Sequence, residues 1–177
     1  MRRIIILLLL SLSLIVKGEE GNSKNNPPIY IAFLWHMHQP IYWPGETIVQ
    51  TQQGNHYPYS VYDIHNSRLG PYTNWPKDAV MKGINANLPN FGAQVSFSGS
   101  LIENLNNLES IGNGNFQNWK SHWNYIKTQN TSLGNPRIDM VGFGYHHPLM
   151  GLIEYNDIRK QIQAHKQILS QNFSGSY

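Results

Sequence analysis

The 177-residue sequence predicts an α/β fold in which parallel strands alternate with helices. Three β-prone segments, at residues 29–42, 92–98 and 137–144, are separated by stretches with helical periodicity. The first segment is an unbroken apolar run that ends in polar residues, as expected of a parallel strand covered on both faces. Three successive β/α units imply right-handed crossovers. Three strands are too few to close a barrel, so we expect an arc of one.

The first predicted strand ends in His36, His38 and Gln39, and Pro40 then stops further pairing because it has no N–H to donate. Side chains alternate along a strand, so the two histidines share one face while Met37 and Gln39 take the other. Since α/β folds hold ligands at the carboxyl ends of their strands, we predict the functional site here.

Residues 41–74 are too long for an ordinary connection and too aromatic for disorder. We expect an ordered loop over the strand ends. Its rings suit either stacking on sugar faces or a small core beneath the loop, and both interpretations stay open. The rings are those of Tyr42, Trp43, Tyr57, Tyr59, Tyr62 and Tyr72.

The helices are predicted from caps and apolar faces. One begins at 75–76; another begins at Ser100, where Ser100 and Glu103 form a capping-box pattern, and a third spans 116–127. Asn156 is predicted to cap the last helix, to about residue 171. The residues expected to face inward are Leu101, Leu105 and Leu108, then Phe116, Trp119, Trp123 and Ile126, then Ile158, Ile162, His165 and Leu169.

The third predicted strand also runs into a polar cluster, Tyr145, His146, His147 and Pro148. Adjacent residues on an extended chain point to opposite sides, so one of these two histidines would face a ligand and the other would pack. His147, next to the proline, is the preferred one. Histidines in loops or helices are more consistent with structural or solvated roles, and these are His56, His65, His122 and His165.

Residues 1–18 have the pattern of a secretory signal: Arg2 and Arg3, an apolar run, then Gly18. An uncleaved anchor is the alternative, disfavoured by the short run. Residues 19–28 are a polar linker, and residues 29–177 would form the folded domain, secreted or extracytoplasmic. Three of the 13 basic residues lie in the signal, which leaves 10 against 10 acidic ones. This balance gives no reason to expect a nucleic-acid partner, and we expect no membrane contact beyond the signal. The sequence has no cysteine, which excludes disulfides and thiolate chemistry.

The pair His36 and His38 has two chemical interpretations. Two imidazoles could bind zinc, although a catalytic zinc takes three protein ligands and no carboxylate stands beside them. Alternatively, neutral imidazoles and the Gln39 amide donate and accept hydrogen bonds with ligand hydroxyls. A structural role for one histidine also stays open. We expect no metal and no cofactor.

The segments 35–40 and 144–148 resemble the first two sequence regions of glycoside hydrolase family 57, whose members act on α-glucans. The resemblance implies an incomplete (β/α)7 TIM-like barrel, retaining glycosidase or transglycosidase chemistry and an α-glucan or oligosaccharide substrate. It also implies that His36, His38, Gln39 and His147 bind the sugar being cleaved. Trp43 and Tyr145, which adjoin these motifs, are predicted substrate contacts as well.

The family's nucleophile is a glutamate on the strand after the last helix, and its proton donor is an aspartate beyond it. We therefore expect no catalytic residue within this chain, an amino-terminal part of a catalytic barrel, and no activity alone, since glycoside hydrolysis usually needs two carboxylates. The alternatives are a metal-dependent hydrolase resembling polysaccharide deacetylases and a carbohydrate-binding remnant without turnover. The present carboxylates look like caps, solvated charges or rim residues: Glu46, Asp63, Asp78, Glu103, Glu109, Asp139, Glu154 and Asp157.

Overall fold

The computed structural model describes residues 29, 31–173 and 175. The predicted signal peptide and polar linker therefore lie outside the described residues. The chain divides into two units, Met1–Ile31 and Ala32–Tyr177, and every helix and strand assigned below belongs to the second. Among the helices that the structure describes, none has the length and hydropathy that crossing a bilayer requires.

The second unit contains a three-stranded parallel sheet in the order β1-β2-β3. The strands are β1 Leu34–Met37, β2 Ala93–Phe97 and β3 Ile138–Met140. His36 pairs with Ser96 and Met37 with Phe97, while Ala93 pairs with Ile138. The predicted α/β class with parallel strands is confirmed, although each strand is shorter than its apolar segment.

Seven α-helices and two 3₁₀ turns connect and follow the strands in the described residues. After β1 come α1 Ile48–Gly54, α2 Val61–Asn66, α3 Leu69–Tyr72 and α4 Trp75–Asn85. After β2 come α5 Gly99–Ser110, a 3₁₀ turn Gly114–Phe116 and α6 Lys120–Lys127. After β3 come a 3₁₀ turn Met150–Leu152 and α7 Tyr155–Asn172.

The stretch 41–74 is ordered but is not the loop that was expected, because it contains three short helices. Thr47 and Gln50 form a reciprocal capping box at the start of α1. Ser60 caps α2 by accepting the Asp63 N–H. Ile48 and Val61 are buried in the core. Caps and one or two buried residues stabilise helices too short to show a periodic pattern.

Two predicted caps are wrong. Ser98, not Ser100, caps α5: it lies in extended conformation at the end of β2 and its Oγ accepts the Leu101 N–H at 3.2 Å. Ser100 lies inside the helix. Similarly, Glu154 precedes α7 without a side-chain cap, and Asn156 lies in the first turn. In both cases the helix begins before the polar residue that was predicted as its cap.

The core lies where α5 and α6 cover the sheet. Phe97 of β2 packs against Trp119 and Trp123, with ring centroids 6.1 and 4.9 Å apart. The predicted apolar face of residues 116–127 is confirmed, since Phe116, Trp119, Trp123 and Ile126 are all buried. A break between the 3₁₀ turn and α6 interrupts the single helix that was expected there.

Two predictions of burial are wrong. Phe33 and Leu34 are 54% and 53% exposed, because β1 lies at the edge of the described sheet and pairs with β2 alone. Ile162 of α7 is 43% exposed and lines a surface groove with Phe143 and Lys166 instead of facing the core. His165 and Leu169 of the same helix are buried, as predicted.

Candidate functional site

Three imidazoles meet at the carboxyl end of the sheet and form what we call the histidine cluster: His36, His38 and His147. The ring centroids of His36 and His147 are 4.6 Å apart, and those of His38 and His147 are 4.9 Å apart. The His36 and His38 rings lie nearly parallel, with centroids 6.2 Å apart. The alternation of β1 places them on one face, while Met37 enters the core on the other.

A tight turn after β3 brings His147, and not its neighbour, to the cluster. His147 has a φ of 57° and donates its N–H to Gly144 O at 3.2 Å. A Cβ on Gly144 would lie 2.7 Å from Pro148 Cδ, so the turn requires glycine. His146 donates its N–H to Gln161 Oε1 at 2.8 Å and is exposed. The turn therefore places His147 beside His36 and His38, and its role as the ligand contact stays a prediction.

Phe143 closes the cluster on its apolar side. Its ring centroid lies 4.4 Å from His147 and 5.3 Å from His36. The buried His165 of α7 accepts the Phe143 N–H at its Nδ1, 3.3 Å away, and donates from Nε2 to Phe97 O at 2.6 Å. This imidazole therefore ties α7 to β2 and to the segment after β3. Neither the place of Phe143 in the site nor the bridging role of His165 was predicted from the sequence.

The ring nitrogens of the cluster are only partly satisfied. His36 Nδ1 shares a 2.8 Å hydrogen bond with Ser96 Oγ, its partner residue on β2. His38 Nδ1 is buried and has no hydrogen-bond partner among the described residues. Burial, and then the neighbouring His147, lower the pKa of both His36 and His38. These two imidazoles are therefore neutral at pH 7, and each has one donor and one acceptor nitrogen.

Gln39 faces away from the histidine cluster and is fixed between two tyrosines. Its Nε2 donates to Tyr72 Oη at 2.8 Å, and its Oε1 accepts from the Tyr42 hydroxyl at 2.6 Å. The Ser100 hydroxyl donates to the Gln39 carbonyl at 2.5 Å. The amide retains one hydrogen and one lone pair. Its described contacts link β1 to α3 and α5.

Trp43 and Tyr145 were both predicted to contact substrate. Among the described residues, neither ring contacts a ring of the histidine cluster. Trp43 stacks on His56 with centroids 4.0 Å apart. Tyr145 donates its hydroxyl to Glu103 Oε2 at 2.5 Å, and its ring covers Gly99, where an added Cβ would lie 2.2 Å from a ring carbon. Tyr145 therefore packs on α5. That these residues and the cluster bind substrate stays a prediction.

Among the described residues, no group of three or more histidines, aspartates or glutamates has the arrangement needed to hold a metal ion. Two carboxylates are hydrogen-bonded to side chains outside the cluster: Glu46 to His56 and Glu103 to Tyr145. His36 and His38 offer neutral hydrogen-bonding groups beside the Phe143 ring. Such a surface suits hydroxyl groups and C–H faces better than ions.

The family model described as Glycosyl hydrolase family 57 matches residues 32–176. A protein named "Alpha-amylase" from Niallia circulans is 26% identical over 160 residues, which cover 88% of this chain and 11% of that protein. The chain thus spans about a tenth of the relative's length. No solved structure matches.

Proposed function

The chain belongs to glycosyl hydrolase family 57, and we propose that its histidine cluster binds one glucose ring of an α-glucan for a retaining glycosidase or transglycosidase. The observation that supports this proposal most is the meeting of His36, His38 and His147 within 4.6 to 6.2 Å at the carboxyl end of the sheet. Active sites of α/β barrels lie at that end.

The chemistry of the cluster fits a neutral polyol. Hydroxyl groups both donate and accept, and so does a neutral imidazole. Nδ1 of His36 is bonded to Ser96 Oγ and Nδ1 of His38 is buried, so each ring has Nε2 left for a hydroxyl group. Phe143 lies beside them as an apolar surface for C–H groups. A hydrogen bond that strengthens as the ring distorts towards the transition state adds to catalysis as well as to binding.

We propose a division of roles for catalysis. Retaining hydrolysis uses two carboxyl groups about 5 to 5.5 Å apart, and Glu46 and Glu103 are bound to His56 and Tyr145 instead. On this proposal residues 32–176 supply sugar binding, and the nucleophile and proton donor come from other parts of a family member. The three β/α units would then belong to a (β/α)7 TIM-like barrel. Residues 1–18 would direct secretion.

The test measures binding and turnover separately. We expect the full chain to bind maltoheptaose, detected by isothermal titration calorimetry, without releasing reducing sugar from starch. His147→Gly should weaken binding about tenfold, the equivalent of one good hydrogen bond. Glycine suits the left-handed φ of 57° at this position, so the variant adds no backbone strain. The matched control is His146→Gly on the adjacent, exposed residue, which should bind as the unchanged chain does.

Three results would contradict the proposal. No maltoheptaose binding would remove the substrate assignment. Equal affinity in the His146→Gly and His147→Gly variants would remove the cluster from the site. Binding or turnover that is lost with a chelator and restored by zinc would favour the alternative, a metal-dependent hydrolase with His36 and His38 as ligands.

A further inference from the structure

We propose that Trp43 is the platform of a second sugar subsite, which holds another pyranose ring of the α-glucan bound at the histidine cluster. The inference rests on the proposed function for its ligand class, and on separate geometry for its position. The platform is formed by the turn 43–46 together with His56.

The turn is built to hold its two end residues. The Glu46 N–H donates to Trp43 O at 3.1 Å, which closes a four-residue turn. Pro44 fixes the second position, and Gly45 at the third has a φ of 79°. This is the chemistry of a type II turn, which needs glycine there. Trp43 and Glu46 therefore project from a rigid corner.

The His56 ring contacts both end residues of the turn, Trp43 and Glu46. Its ring stacks on the Trp43 indole at 4.0 Å with an interplanar angle of 10°. Its Nε2 lies 3.1 Å from each carboxylate oxygen of Glu46. Asn55, with a φ of 52°, ends α1 and turns the chain into His56. The indole is thus held in place before any ligand arrives.

One indole face is covered by His56, yet Trp43 remains 41% exposed. The Tyr57 ring lies edge-on to Trp43, with centroids 6.3 Å apart, and the rest of the tryptophan is open to a ligand. A pyranose presents axial C–H groups that pack on such a face, and its hydroxyls can donate to the remaining lone pairs of Glu46. Because the indole is already ordered, binding does not carry the cost of immobilising it.

The platform lies within reach of the same oligosaccharide. Trp43 follows His38 by five positions, so their Cα atoms are at most about 18 Å apart. Both residues follow the carboxyl end of β1. A linear chain of glucose rings that starts at the histidine cluster is therefore long enough to reach Trp43 within a few units.

The experiment uses the full chain and maltoheptaose. Trp43→Ala should weaken binding about tenfold by calorimetry, and Trp43→Phe, which keeps a flat ring, should recover part of the loss. The control is Trp75→Ala, which removes a tryptophan that is 63% exposed on α4; its affinity should match the unchanged chain. In the unchanged chain, the indole N–H signal of Trp43 should shift on titration while that of Trp75 stays fixed, a readout that does not depend on any variant folding.

The outcomes separate the two proposals. The platform is overturned if Trp43→Ala binds normally, or if the Trp43 indole signal of the unchanged chain does not move, while His147→Gly still weakens binding. The proposed function then stands. If the unchanged chain binds no maltoheptaose, the proposed function fails. The platform proposal then fails too, because it takes its ligand from the proposed function. A loss of affinity in Trp75→Ala equal to that in Trp43→Ala would also overturn the platform, since it would assign the effect to exposed tryptophans in general.

Discussion

Polar side chains at the two ends of the sheet differ in how completely they are hydrogen-bonded. At the amino end, Arg137 is only 7% exposed, and its guanidinium donates to four backbone carbonyls at 2.7 to 3.2 Å. These belong to Leu88, Pro89, Phe91 and Asn130. At the carboxyl end, His36 has one side-chain partner at Nδ1 and His38 Nδ1 has none among the described residues.

The difference separates structural groups from ligand-binding ones. A buried group whose hydrogen bonds are complete stabilises the fold, and its removal leaves its partners unsatisfied. A polar group with unused bonding capacity does not stabilise the fold in this way, and a ligand can use the part of that capacity that is accessible. Arg137 belongs to the first kind and the histidine cluster to the second.

Arg137→Ala tests the structural end and should have the largest effect. It removes the donors of four carbonyls around the start of β3, so we expect the free energy of unfolding to fall by about 3 kcal/mol or more. Chemical denaturation followed by tryptophan fluorescence measures this loss. Arg159→Ala on the exposed face of α7 is the control and should change little. Equal stability of the two variants would contradict the distinction between the ends.

The buried His65 provides a pH test of the same reasoning. Its Nδ1 donates to Val61 O at 2.9 Å, and its buried Nε2 has no partner among the described residues. Burial is the main reason that its pKa falls from 6.5 to about 4. The folded state therefore resists a proton that the unfolded chain accepts. Stability should be full above pH 6.5 and decline as pH falls towards 4, by ~3 kcal/mol in total.

The measurement for His65 compares the unchanged chain with His65→Gln. Unfolding free energies at pH 7 and pH 4.5 give the loss in each protein, and the difference between the two losses isolates His65 from the other histidines. We expect the unchanged chain to lose more. Parallel losses would mean that His65 is not desolvated in solution, and the argument from burial would fail there.

The contact between α5 and the segment after β3 should show a smaller effect. Gly99→Ala places a Cβ about 2.2 Å from a Tyr145 ring carbon, so the ring must move or the helix must shift. Overpacking of this kind costs about 1 to 3 kcal/mol. Thermal unfolding measures the loss. Gly151→Ala is the control, because nothing lies within 4 Å of its added Cβ. If both variants unfold at the same temperature, Tyr145 does not pack tightly on α5.

Local patterns in the sequence were enough to predict the parallel strands and the shared face of His36 and His38. An apolar run that stops at polar residues and proline is visible without tertiary structure. The apolar face of residues 116–127 was predictable for the same reason. By contrast, α1 to α3 are too short to show a period, and a loop was predicted in their place.

The remaining contacts depend on partners that the sequence does not identify. Arg137 binds backbone carbonyls, which every residue carries, and His165 bridges Phe97 and Phe143 in the same way. Ser96 meets His36 only through the register of β1 and β2. Ser98 and Ser100 were both possible caps of α5. Ser98 is the cap because β2 ends directly before it. Tertiary placement therefore determined each of these outcomes.

The last prediction concerns His38, where stability and binding should change in opposite directions. His38→Phe keeps a ring of similar size against His147, whose centroid is 4.9 Å away, but it removes the buried Nδ1 that has no partner. The free energy of unfolding should stay the same or rise by up to ~1 kcal/mol, because an unsatisfied polar atom is replaced by carbon. Maltoheptaose affinity should fall about tenfold, since no ring nitrogen remains to meet a hydroxyl.

Arg137→Met, the corresponding apolar replacement at the other end of the sheet, should lose stability instead. A His38→Phe variant that unfolds more easily than the unchanged chain would show that His38 has a structural partner in solution, and the contrast between the two ends would not hold.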